Sequence, residues 1–182
     1  VVATPTLRRG AWIAAALLAS GAIVAIAMHG RRPEPGLARF EPAGVMLGIR
    51  PEQVTGIEIL GPGGRWWFVK TDTGGWRVSA GSPPLAADPT TSLDNGLRFL
   101  HVSAPQRTLS PDEVIGLSMA EFGLAPPRYT VSVRSSGRPF TIEFGGLNAQ
   151  GLAQYARVAG EAGIVLLPRY IGQQWEAATG AP

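Results

Sequence analysis

The side chains able to carry chemistry in this chain are few and scattered. Two histidines are present, His29 and His101. A histidine metal site or acid–base pair would need both in one domain. They fall instead in unlike segments, one at the edge of an apolar run and one near the end of an amphipathic stretch. There is no cysteine, which excludes a thiolate nucleophile, a thiolate metal site and a disulfide framework. Glu113 and Glu121 could form a carboxylate pair, but each stands three residues after a serine, Ser110 and Ser118. That is capping-box spacing, in which the glutamate closes a helix start. Ser79, Ser82 and Ser110 have no neighbouring histidine, and no Gly-x-Ser-x-Gly elbow presents them. Gly61-Pro62-Gly63-Gly64 is glycine-rich, yet no Lys-Ser or Lys-Thr follows, so it reads as a turn and not a phosphate loop. The expectation is a protein that is not an enzyme and holds no metal and no cofactor.

Residues suited to contact stand out more than residues suited to reaction. Trp66, Trp67 and Trp76 lie close together. Adjacent tryptophans in a strand point to opposite faces, so one of Trp66 and Trp67 enters the core and the other is free to anchor a partner, unless a second layer covers it. Tyr155 and Arg157, two apart in a strand pattern, share a face and offer a polar-aromatic contact of the same kind.

The elements that would hold these residues begin with an apolar segment. Ala11 to Met28 carries no formal charge, and Arg8-Arg9 and Arg31-Arg32 flank it. As a helix, 11–29 spans about 28 Å, close to the roughly 30 Å hydrocarbon core of a bilayer. Trp12 sits where an interfacial aromatic would sit. This predicts a tail over 1–10 and a transmembrane helix over 11–29 in contact with the lipid bilayer. The location that follows is the bacterial inner (cytoplasmic) membrane, single-pass, with the C-terminal domain in the periplasm. Ala15/Ala19, Ala16/Ser20 and Gly21/Ala25 are small-xxx-small pairs that would let another membrane subunit's helix approach. Ala25-Ile26-Ala27 also fits a signal-cleavage site, so cleavage after Ala27 is the rival reading. Arginines on both sides leave orientation undetermined by charge.

Charge location also limits the partners. The formal net charge is +3, but 1–32 holds four arginines and no acid, leaving twelve basic against thirteen acidic residues on 33–182. A nucleic-acid binder would carry its basic excess on the domain, so no nucleic acid is expected. Lys70 is the single lysine, a usage typical of GC-rich bacterial genomes.

Beyond a Pro/Gly-punctuated linker over 30–51, starting with the helix-breaking RRPEPG, period-two patterns appear. Strands are predicted near 54–60, 65–71 and 76–79. Asp88-Pro89 starts a helix in which Leu93, Leu97 and Leu100 recur at helical spacing over 90–102. Two short capped turns follow at Ser110 and Ser118. Further strands are predicted from 128, over 140–144, 154–159 and 163–167, before a last helix from Pro168 past Trp175. The fold class expected for 52–178 is α+β: two β-meanders forming an antiparallel sheet with helices on one face, behind the single transmembrane helix.

Gly123, Leu124 and Pro127, then Gly145, Gly146, Tyr155, Arg157 and Val165, stand in a recurring order. With Gly56–Ile59, Gly75–Val78 and Ala87-Asp88, they make residues 52–170 resemble a bacterial family of domains of unknown function, number four-three-four-zero. The resemblance implies a membrane-anchored periplasmic domain, in some members beside gliding-motility or ABC-transport components, and no catalytic residue. The function expected is an accessory or scaffolding subunit of a larger membrane complex, transport-related or energy-transducing. Its partners would be other membrane protein subunits. The alternative is a binding module for a small ligand, peptide or envelope polymer, which requires a concave, partly apolar pocket.

Overall fold

The computed structural model describes residues 5–30 and 42–180, with side chains given at 12, 15–26 and throughout 42–180. The chain divides into two units, Val1–Phe40 and Glu41–Pro182. The first contains helix α1 (Pro5–Gly30), whose described side chains are all exposed. Among the described residues no helix is long and apolar enough to cross a membrane. This corrects the expected transmembrane helix over 11–29, and with it the single-pass inner-membrane location. Residues 31–41, with RRPEPG and half of the predicted linker, lie outside the described residues, as do the side chains of Ala27 and His29.

Alternation of apolar and polar residues builds the second unit. Among the described residues it has eight strands: β1 (Val54–Gly61), β2 (Gly64–Lys70), β3 (Trp76–Val78), β4 (Arg107–Leu109), β5 (Tyr129–Ser135), β6 (Phe140–Leu147), β7 (Ala153–Val158) and β8 (Ile164–Pro168). They form one sheet in the order β3-β2-β1-β5-β6-β7-β8-β4, antiparallel at every pairing. Two meanders are joined where β1 pairs β5. Opposed residues share a face. Ile59 lies opposite Trp66 and Val131, and Val131 opposite Ile142, so one continuous apolar face crosses the sheet.

Helices α2 (Thr90–Val102) and α3 (Arg169–Thr179) cover that face. Each buries one stripe at helical spacing: Leu93, Gly96, Leu97 and Leu100 on α2, and Ile171, Gly172, Trp175, Glu176 and Ala178 on α3. They also pack on each other. A Cβ at Gly96 would lie 2.7 Å from Trp175 Cζ2, so the absence of a side chain on α2 makes room for the largest one on α3. Asp88 accepts a hydrogen bond from the Thr90 N–H at 2.9 Å, which holds its carboxyl below the usual aspartate range and starts α2.

The opposite face of the sheet is covered over half its width. Val165 and Leu167 belong to the main core, so by alternation Ile164 and Leu166 face away from it. There Ile164 joins Phe122 and Leu124 in a second cluster, with Leu109, Val114, Met119 and Tyr155 against it. The layer comes from two single-turn helices, Pro111–Val114 and Met119–Phe122, started by Ser110 and Ser118. Over β1, β2 and β5 no such layer exists among the described residues, and Leu60 and Val69 remain 44% and 42% exposed.

Residues 44–49 also join the core: Met46 and Ile49 are buried. Gly44 N–H donates to His101 O at 3.1 Å and Met46 N–H to Leu100 O at 2.9 Å. These bonds occupy carbonyls at the end of α2 that have no partner within the helix. A carbonyl cannot donate, so the 2.9 Å bond between His101 Nδ1 and Met46 O assigns the proton to Nδ1. A Cβ at Gly44 would collide with the Leu100 carbonyl oxygen, so only glycine fits this crossing.

Candidate functional site

A cleft of about 380 Å³ opens where the C-terminal end of α3 meets the β1–β2 turn. Its walls are mostly apolar and aromatic: Ile59, Pro62, Trp66, Tyr129 and Trp175. Each wall residue is placed by its element. Ile59 and Trp66 are cross-strand partners on the helix-covered face. Tyr129 starts β5 and stacks on Phe144 with centroids 4.7 Å apart. Trp175 comes down from α3. The Gly61–Gly64 turn closes one side, because a Cβ at Gly63 would stand 2.9 Å from Trp66 Cη2.

Charge enters the cleft through Glu176, on the buried stripe of α3. Its side chain is only 8% exposed, and two arginines meet it. Arg169 Nη2 donates to Oε2, while Arg128 Nε lies 3.3 Å from Oε1. The second contact is an ion pair without the alignment of a hydrogen bond, so Oε1 has a charge partner but no hydrogen-bond donor. Arg169 also donates from Nη1 to Gln154 Oε1 at 3.4 Å. Arg128 is 50% exposed, at the rim of the cleft.

Behind the Tyr129 wall lies a polar network. Tyr129 OH donates to Gln154 Oε1 at 3.2 Å, and Gln154 Nε2 donates to Gly145 O at 2.9 Å. Burial pushes the Tyr129 phenol well above its ordinary range, and the negative charge of Glu176 adds to the effect. Tyr129 therefore serves as a neutral donor. Trp66 Nε1 and Trp175 Nε1, in contrast, are buried without a hydrogen-bond partner. Trp76, outside the cleft, donates from its indole to Asp94 Oδ1 at 2.8 Å. An unpaired buried donor costs about 1–3 kcal/mol. Among the described residues, all three buried side-chain atoms without a hydrogen-bond partner belong to residues lining this one cleft.

The chain matches no family model, no curated protein and no solved structure.

The residues singled out in the sequence divide between two places. Trp66 is a cleft wall. Trp67, its neighbour, faces the uncovered half of the opposite sheet face, where the Arg134 guanidinium lies 4.5 Å from its ring centroid. Tyr155 packs edge-on against Phe122 at 5.1 Å. Arg157 reaches Glu143 Oε2 through Nε at 2.8 Å and Nη2 at 2.6 Å. Gly123 and Gly145-Gly146 meet at a backbone crossing, where a Cβ at Gly123 would lie 2.5 Å from Gly146 N. Gly123, Leu124, Gly145, Gly146 and Tyr155 thus hold the covering layer onto the sheet. Trp12, Ala15, Ala16, Ala19, Ser20, Gly21 and Ala25 lie on α1 with exposed side chains. Glu113 and Glu121 accept from the Ser110 and Ser118 N–H groups at 2.9 and 3.0 Å, and Ser82 Oγ accepts from Trp67 N–H at 3.0 Å. Among the described residues no group of His, Cys, Asp and Glu side chains is gathered for a metal ion.

The sequence reading did not single out Arg128, Tyr129, Trp175 or Glu176 as site residues. One signal pointed there. Ile171, Trp175 and Ala178 define the apolar stripe of the last helix, and Glu176 falls within it. A carboxylate on a buried stripe needs cationic partners.

Proposed function

We propose that the Glu41–Pro182 unit is a non-catalytic binding domain whose ligand sits in the cleft between α3 and the β1–β2 turn. The observation that carries this reading is the cleft itself. It is concave, aromatic-walled and furnished with few polar groups, the ordinary form of a small-ligand site. Its volume of about 380 Å³ is at the small end of the roughly 300–1,000 Å³ typical of such sites, which favours a small molecule or the end of a peptide. The lining carboxylate is already paired with two arginines, and the Thr179 hydroxyl donates to carbonyls of its own helix. Both groups are thus engaged in holding the site together.

The test uses N-phenylnaphthylamine, a neutral dye that brightens in apolar surroundings, with the full chain. Thr179→Trp places a large ring in the cleft. The expected result is a saturable rise in dye fluorescence with a component that Thr179→Trp removes. Equal titrations for the two proteins would sink the reading.

A second reading rests on Trp67. Together with half-exposed Leu60 and Val69 it gives the open half of the sheet an aromatic centre, and tryptophan and arginine are enriched where binding energy concentrates. On this reading the domain is an accessory component that docks a protein partner. Loss of a co-purifying protein on Trp67→Ala, with dye binding unchanged, would favour it over the cleft.

A further inference from the structure

Resting on the reading of the cleft as a ligand site, we infer that its ligand is an apolar body carrying a single carboxylate, and that Arg128 receives the carboxylate. Three charges and one dipole set the sign. Arg128 and Arg169 face one Glu176, leaving one positive charge in excess. The C-terminal end of α3 contributes a partial negative charge of about half a unit. The balance stays positive, and it is concentrated on Arg128. Arg169 is committed to Glu176 and Gln154. Arg128 approaches Glu176 with Nε 3.3 Å from Oε1, and its two Nη groups have no protein acceptor among the described hydrogen bonds.

Guanidinium geometry makes this arrangement selective. Arginine offers five N–H donors in a planar fork that matches a carboxylate through two parallel bonds. With Nε paired by charge to Glu176 Oε1, the Nη groups are left for an incoming anion at the rim. The aromatic wall then takes the apolar body. A doubly charged phosphate fits less well, because its second charge would oppose Glu176 and the α3 carbonyls with no further cation in the lining. A ligand ammonium would compete with Arg128 itself for Glu176. The same chemistry occurs in a free acid and at the C terminus of a peptide ending in an apolar residue.

The experiment is displacement of N-phenylnaphthylamine from the full chain by octanoate, methyl octanoate, octylamine and the peptide Ala-Ala-Leu with a free or an amidated C terminus. The signal read is the part that Thr179→Trp abolishes. Octanoate should displace the dye at least about tenfold more effectively than methyl octanoate or octylamine, and added salt should weaken it. Arg128→Gln should remove that preference, read as the ratio of octanoate to methyl octanoate displacement within the variant itself. Because this substitution also takes a partner from Glu176, Arg128→Lys is the second variant. It keeps the charge without the fork and should lose part of the preference. Displacement by octanoate assigns the site to free acids, and displacement only by the free-ended peptide assigns it to peptide termini; either supports the inference. Equal displacement by ester or amine overturns the carboxylate while leaving a binding cleft, as does failure of every competitor against a dye that still responds to Thr179→Trp. A dye signal indifferent to Thr179→Trp removes the cleft reading itself.

Discussion

Two arginine–tryptophan neighbourhoods lie on opposite sides of the same strand, and they put the same residue types to different uses. On the open side, Arg134 crosses the sheet past Gly56, its Cδ 3.9 Å from where a Cβ there would stand, and lays its guanidinium over Trp67. The cation and the ring satisfy each other. On the helix side, Trp66 and Trp175 are sealed into a wall with unpaired indole donors, while Arg128 is turned towards a carboxylate and leaves part of its fork open. What separates the two is whether the surrounding fold has already used the recognition groups. The first arrangement protects an aromatic side chain on a sheet face. The second holds polar capacity in reserve beside an apolar hollow.

Substitutions can break this contrast or sharpen it. The largest effect is expected at Glu176. Glu176→Ala leaves Arg169 and Arg128 facing an apolar gap and should cost about 3 kcal/mol, the low end for a broken buried pair because Arg128 is half exposed. The urea midpoint measures it; an unchanged midpoint would mean that the pair is not structural. Gly172→Ala comes next. A Cβ there would collide with Gln154 Oε1 and approach Tyr129 OH to 2.6 Å. Overpacking of about 3 kcal/mol, offset by about 1 kcal/mol of helix propensity, gives a net loss near 2 kcal/mol in the same measurement.

Tyr129→Phe should cost about 1 kcal/mol at neutral pH by deleting one hydrogen bond. It also changes the pH profile. The folded phenol titrates above its unfolded value of 10.0, so its contribution is complete below that pH and is lost as pH rises through the folded value. The parent should therefore lose stability between about pH 9 and pH 11 more steeply than the Phe variant, as read by urea unfolding at both ends. The smallest effect belongs to the open side. Arg134→Ala should cost only about 0.5 kcal/mol and should brighten or shift Trp67 emission. A loss as large as that at Gly172 would erase the distinction between the two neighbourhoods.

Much of the sheet was legible because strands announce themselves by alternation. Tyr129-Val131-Val133 and Phe140-Ile142-Phe144 point one way, and the turns between them are rich in glycine and serine. The 90–102 helix was equally plain from Leu93, Leu97 and Leu100. β4 was not, since Arg107-Thr108-Leu109 is too short to show a period and owes its extended form to pairing with β8. Residues 44–49 read as linker because glycine and proline punctuate them, yet Met46 and Ile49 are core. Their role depends on the end of α2, more than fifty residues later. The adjacent tryptophans were correctly expected on opposite faces, but which one faced the helices depended on the register with β1. The cleft was hidden for the same reason: Arg128, Tyr129, Trp66 and Glu176 come from three distant stretches, and no local spacing brings them together. The membrane-spanning reading of 11–29 rested on an uncharged apolar run, its flanking arginines and Trp12; the helix is there as Pro5–Gly30, but among the described residues none is both long and apolar enough to cross a membrane.

The bonding of residues 44–46 to the end of α2 has a mechanical consequence. Traction arriving along the backbone from the N-terminal side would first load the Gly44–His101 and Met46–Leu100 hydrogen bonds. It would next pull the Met46 side chain out of the core, and only then reach the first sheet strand. The 44–46 segment is thus the part of the folded unit that such a load meets ahead of the sheet and the cleft.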